Sequence, residues 1–163
     1  MTRIINTIKL NKNIAYLQKL KSLNKESGLI FNSLDNILND FIGHKLFTIL
    51  KFDKINSNLE RVYTSKPREY PLQGKKDVIR NFWQVQVLEK GIAYIGYNFQ
   101  DIKNSFSDFD LIKKLGCSSV LIIPVKSGDN IKGSVNLLHE ESWYSDNDVK
   151  IAQKLVQLIS EVL

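Results

Sequence analysis

The sequence predicts an α+β domain: a central antiparallel sheet, amphipathic helices from both ends of the chain on one face, and an irregular aromatic-rich segment over the other. Three observations lead there. Between Leu115 and His139, an apolar run from Val120 to Val125, the turn set Ser127-Gly128-Asp129-Asn130 and a second apolar run through Gly133, Val135, Leu137 and Leu138 spell a β-hairpin. Its strands are apolar at both parities, so both faces of the hairpin need cover. Helical stripes occur near both ends of the chain, and the middle segment is left for the opposite face.

Taken in order, the chain opens with two helical stretches. Leu17, Leu20 and Leu23 fall at three-residue spacing on the first, with lysines between them. In the second, Ser27 is a plausible N-cap, and Ile30, Leu34, Ile37, Leu38 and Phe41 form a stripe that Gly43 ends. His44 to Phe52 reads as a strand, and Lys54 to Asn58 turns it into a second strand, Leu59 to Ser65. Residues Lys66 to Lys76 hold two prolines and a glycine, which argues against a regular element, although Tyr70 and Leu72 are too apolar for a simply solvated loop. A loop of this kind in a small domain is often a lid or a binding loop. A helix is expected from about Asp77 to Lys90, with Ile79, Phe82, Trp83, Val87 and Leu88 apolar and Gly91 as C-cap. Ala93 to Ile95 reads as a short extended piece, and Ser105 or Ser107 would cap a helix carrying Phe109, Ile112 and Leu115. After the hairpin, Ser145-Asp146-Asn147-Asp148 is a strong helix start, and Ala152, Leu155, Val156, Ile159 and Val162 make the last stripe. The chain is expected to end within that helix, with no output domain attached.

A length of 163 residues suits one domain with a substantial core. No apolar stretch reaches the length of a signal-peptide core or a membrane span, so a cytoplasmic location is expected. Cys117 is the only cysteine, which excludes an intramolecular disulfide and a multi-cysteine zinc site. The net charge of +6 invites a nucleic-acid reading. Against it, the basic residues are mostly lysines spread along helices, without interleaved stacking aromatics, and nucleic acid is not the expected partner.

The element order resembles a GAF domain. The resemblance is carried by Gly116-Cys117-Ser118-Ser119 leading into a strand that ends Ile122-Ile123-Pro124-Val125, by the Gly133 to Leu138 strand, and by Trp143-Tyr144-Ser145-Asp146-Asn147-Asp148 opening the last helix. It covers residues 25–163, leaving residues 1–24 as an N-terminal helical extension. A PAS domain is the nearest rival and less commonly has two long flanking helices in this order. The resemblance implies helices on one sheet face and a ligand pocket on the other, closed by the middle loops and short helices. Bilin-binding members attach the chromophore through a cysteine often followed by histidine, whereas Ser118 follows Cys117 here. The cyclic-nucleotide signature is matched only in part by Asn24-Lys25, Phe31 and Asp35-Asn36.

Arg61, Tyr63 and Ser65 share one parity of the second strand, so they are expected to point to the same face as each other. With Tyr70 in the following loop and Trp83 beyond, they could hold a small polar or anionic ligand; equally, Arg61 could be solvated and Tyr63 could be packing. Ser119 and Asn136 are polar residues in apolar strands, each needing a partner in protein, water or ligand. Asn136 is the favoured single ligand contact, an internal hydrogen bond to backbone being the competing explanation. Cys117 is a candidate nucleophile or a buried small residue, and His139 a pocket-edge acid/base or a solvated strand end. Some GAF-like proteins reduce free methionine-(R)-sulfoxide, but that chemistry normally uses more than one cysteine. His44 and His139 offer no metal-ligand spacing, and no metal or cofactor is expected. No catalytic constellation is present. The reading is therefore a small-molecule-binding sensory domain, with a pocket under the 66–76 loop and homodimerisation through the terminal helices. The alternatives are a small enzyme using Cys117 or His139, or a dimeric scaffold without ligand.

Overall fold

A computed structural model describes residues 3–163. Met1 and Thr2, the start of the expected N-terminal extension, lie outside the described residues. The helices α1 (Thr7–Ser22) and α2 (Ser27–Phe41) precede the strands β1 (Leu46–Asp53), β2 (Asn58–Thr64) and the two-residue β3 (Lys76–Asp77). A single turn α3 (Phe82–Gln84) widens into a π-helical turn, Val85–Glu89. Then come β4 (Tyr94–Gly96), α4 (Phe99–Ser105), α5 (Phe109–Lys114), the hairpin β5 (Ser119–Ser127) and β6 (Asn130–His139), α6 (Asp146–Val156), and a closing 3-10 turn, Gln157–Ile159. The six strands form one sheet in the order β3-β2-β1-β6-β5-β4, antiparallel throughout.

The hairpin lies inside the sheet, β6 against β1 and β5 against β4, which explains its apolar character at both parities. Leu121, Ile123 and Val125 of β5, with Val135 and Leu137 of β6, pack under α1, α2 and α6. Val120, Ile122 and Leu138 point to the other face, against Trp83, Val87, Ile102 and Ile112. Gly133 sits where β1 crosses closely; a methyl on it would overlap the Leu50 carbonyl oxygen.

Several local expectations shift. On α1 the buried residues are Leu10, Leu17 and Leu20, and they join the same core as α2 and α6. Leu23 falls outside the stripe: α1 ends at Ser22, and Leu23 is its C-cap residue, 55% exposed. Glu26 occupies the N-cap of α2, and Ser27 begins the helix proper. The helix expected from Asp77 is shorter, opening at Phe82 with an Asn81–Gln84 capping box, so Ile79 lies outside it in exposed chain. Before the helix expected to follow Ser105 or Ser107, which starts at Phe109 with Asp108 as its N-cap, lies another that ends at Ser105, so this stretch holds two helices. The first is opened by Asn98, whose side chain accepts from the Asp101 N–H while the Asp101 carboxylate accepts from the Asn98 N–H. Ser145 caps α6 as its sequence indicates, in a capping box with Asp148.

Candidate functional site

The middle segment does not seal completely onto the sheet. Between them lies a cavity of about 280 Å³. Its floor is sheet: Thr48 and Leu50 of β1, Leu59 and Arg61 of β2, Asn136 and Leu138 of β6. Trp83, Ser105, Phe106, Asp108 and Ile112 close it from the helical side, and Tyr70, Gln73 and Gly74 bring the 66–76 loop to its edge. The size sits near the lower end of the range of about 300–1,000 Å³ usual for small-molecule sites.

Register explains which polar residues reach this floor. Thr48 pairs with Asn136 and Leu50 with Ser134, so all four share the face opposite the long helices. The Ser134 hydroxyl donates to Asn136 Oδ1 at 2.9 Å, which orients the amide. Asn136 is thus internally bonded, to a side chain rather than to backbone, while its side chain also lines the cavity.

Arg61 is the most constrained group. Its side chain is 8% exposed. Nη1 donates to the Pro71 carbonyl at 2.6 Å, and the guanidinium carbon lies 3.7 Å from the Tyr70 ring centroid. Nη2 stands 3.6 Å from Asp108 Oδ2, an ionic approach too long for a hydrogen bond. Arg61 Nε and Asp108 Oδ2 have no hydrogen-bond partner among the described residues. Burial pushes the Tyr70 phenol up, the Asp108 carboxylate adding to this and Arg61 opposing it. Trp83 turns its N–H to the Ser105 carbonyl at 3.0 Å, which Asn81 Nδ2 also reaches, so its ring is held as a fixed wall.

Tyr63 and Ser65 do not join Arg61. The β1–β2 register slips between Ile49, opposite Tyr63, and Leu50, opposite Arg61, so a bulge in β2 reverses the parity on which the shared-face expectation rested. Tyr63 therefore faces the long helices, edge-on to Phe31 and Phe47. Its hydroxyl donates to Asp35 Oδ2 at 2.7 Å, and His44 Nε2 lies 2.7 Å from Asp35 Oδ1. Burial first, and then the Asp35 bond, raise the Tyr63 phenol. Ser65 Oγ accepts from the Phe47 N–H, a local tie between β1 and the end of β2. Ser119 donates to the Glu140 carbonyl at the far end of the hairpin, and it too lies outside the cavity wall.

Cys117 is fully buried and outside the cavity wall, and its thiol is pushed up to about 11, chiefly by burial. That is the opposite of what activates a nucleophile. His139 stacks on Trp143 at 3.6 Å between ring centres, and its Nδ1 accepts from the Glu140 N–H. Burial lowers its pKa, and it stands apart from the cavity. Among the described residues no group of three or more His, Cys, Asp or Glu side chains is placed to hold a metal ion.

Sequence reasoning missed two cavity residues that matter. Thr48 was open to the argument that singled out Asn136, being polar within the apolar run Leu46-Phe47-Thr48-Ile49-Leu50. Asp108 carried no such signal, because only the fold of α4 and α5 brings it to Arg61.

Comparison of the sequence with protein-family models and with curated proteins finds no match. Solved structures do match. A GAF domain from a Coxiella burnetii phosphoenolpyruvate-protein phosphotransferase aligns over 97% of this chain and 95% of its own, at TM-score 0.72 and 11% identity. The GAF domain of the Acinetobacter phosphoenolpyruvate-protein phosphotransferase aligns over 98% and 93%, at 0.71 and 12%. A phycocyanobilin-bound GAF domain from a cyanobacterial phytochrome aligns over 94% and 92%, at 0.71 and 13%.

Proposed function

From a chain with the GAF fold and a cavity between sheet and middle segment, we infer a sensory or regulatory domain that binds a small molecule in that cavity. The observation that carries the reading is the set of buried polar side chains in the wall, Arg61, Thr48 and Asn136, around a space walled by Trp83, Phe106 and Ile112. Polar groups kept in an apolar surround need partners, and an occupant supplies them. Arg61, Tyr70, Trp83 and Asn136 are the proposed contacts among the residues singled out from the sequence. The cyanobacterial phytochrome GAF domain that shares this fold is phycocyanobilin-bound, which supports a small-molecule role without indicating the same ligand here.

Homodimerisation belongs to the same reading. Ile8, Tyr16 and Leu23 of the first helical segment remain exposed, at 72%, 48% and 55%, which supports a second copy covering this helix. A cytoplasmic location accords with a single, unpaired cysteine.

The test is native mass spectrometry of the purified protein, followed by a thermal-shift screen against a metabolite library for wild type and Asn136→Ala. A co-purifying small molecule, or a stabilising compound whose effect Asn136→Ala abolishes, is the expected result. A protein that carries nothing and responds to no compound would overturn the reading.

A further inference from the structure

We propose that the cavity selects a molecule of no net charge that presents a hydrogen-bond acceptor and a donor side by side, either a zwitterionic amino acid or a neutral ring with a cis-amide edge. The inference rests on the cavity being a binding site. It follows from the way Arg61 and Asp108 face one another. The guanidinium is satisfied on one edge by the Pro71 carbonyl and on its face by Tyr70, leaving Nε without a partner. Among the described residues Asp108 Oδ2 is likewise without a hydrogen bond, and 3.6 Å separates it from Nη2. The two groups compensate each other's charge without consuming each other's hydrogen-bonding capacity.

An occupant placed against this pair meets a donor and an acceptor on neighbouring positions. A simple anion would be drawn to the Arg61 guanidinium but would press a negative charge on Asp108; a simple cation would do the reverse. A carboxylate next to an ammonium, or a carbonyl next to a ring N–H, satisfies both. The apolar body of such a ligand would lie against Trp83, Phe106 and Ile112, which also line the cavity. The small volume favours a single ring or a single side chain over a larger cofactor.

Four probes separate the possibilities: phenylalanine, thymine, hydrocinnamate (phenylalanine without its amine) and phenethylamine (phenylalanine without its carboxylate). Binding is read by calorimetry and thermal shift on wild type, Asp108→Asn and Arg61→Gln. Phenylalanine, thymine or both are expected to bind wild type more tightly than hydrocinnamate or phenethylamine, by about tenfold or more. Which of the two binds distinguishes the amino acid from the ring amide. Asp108→Asn is expected to reverse the order towards hydrocinnamate, and Arg61→Gln towards phenethylamine. Asn is well accepted at a helix N-cap, the position Asp108 holds on α5, so the first variant is expected to fold. Wild type that prefers hydrocinnamate or phenethylamine overturns the ligand class and leaves the cavity reading standing. Wild type that binds none of the four also overturns the class, and the library screen then decides separately on the cavity.

Discussion

Replacing Tyr63 by Phe isolates what the β2 bulge does. The ring stays where it is, edge-on to Phe31 and Phe47 with centroids at 6.2 and 5.8 Å, so packing changes little. What is lost is the hydroxyl, with its bond of 2.7 Å to the Asp35 carboxylate and its weaker, exposed contact of 3.2 Å with Asn32 Oδ1. Hydrogen bonds to charged groups contribute about 1.5–3 kcal/mol, and partial solvent access at Tyr63 places this one at about 1.5 kcal/mol. Asp35 keeps His44 at 2.7 Å, which limits the damage. For a domain of this size the loss corresponds to a fall in Tm of about 3–6 °C. Urea unfolding followed by circular dichroism is expected to show a lower midpoint at unchanged slope. Because Tyr63 faces the helices, any ligand-induced stabilisation is retained in Tyr63→Phe and is lost in Arg61→Met. A Tyr63→Phe protein of unchanged stability that no longer responds to ligand would refute the assignment of these two residues to opposite faces.

Gly133→Ala is expected to cost about 3 kcal/mol or more, because its methyl would meet the Leu50 backbone oxygen rather than a movable side chain; Gly74→Ala, with nothing near the added carbon, is the neutral control in the same unfolding assay. Cys117 in the native protein is expected to react with iodoacetamide at least about 100-fold more slowly than in urea, its thiol being buried and pushed up to about 11. The same shift makes stability fall as pH rises from the ordinary thiol value of 9.0 towards about 11, since only the unfolded chain ionises there; urea midpoints across that interval measure it. At the acid end, burial against Trp143 holds the His139 pKa below 6.5, so the unfolded chain takes up a proton that the folded one resists. Stability is therefore expected to fall as pH drops below 6.5, less steeply in His139→Gln, as followed by urea midpoints down to about pH 5.

The sheet, its helical cover and the cavity side were legible because they rest on patterns of several residues. Apolar side chains at both parities of β5 and β6 required cover on two faces, and the stripes of α2 and α6 could supply only one. What stayed hidden depended on single events in the ladder or on tertiary approach. One register slip beside Ile49 sends Tyr63 to the helices, and no local composition marks it, since Arg61-Val62-Tyr63-Thr64 reads as regular strand. The meeting of Arg61 with Asp108 needs β2 and the start of α5 together, 47 residues apart in the chain. Asn136 was found because a buried amide in an apolar strand must be answered by something, whatever the topology.

The two tryptophans offer the most direct test of the claim that this cavity is where a small molecule binds. Trp83 lines it and Trp143 lies outside its wall, stacked on His139. In a titration of ¹⁵N-labelled protein with a stabilising compound, the Trp83 indole N–H and the Asn136 side-chain amide resonances are expected to move together while the Trp143 indole stays in place. Movement of Trp143 with Trp83 and Asn136 unchanged would contradict the account.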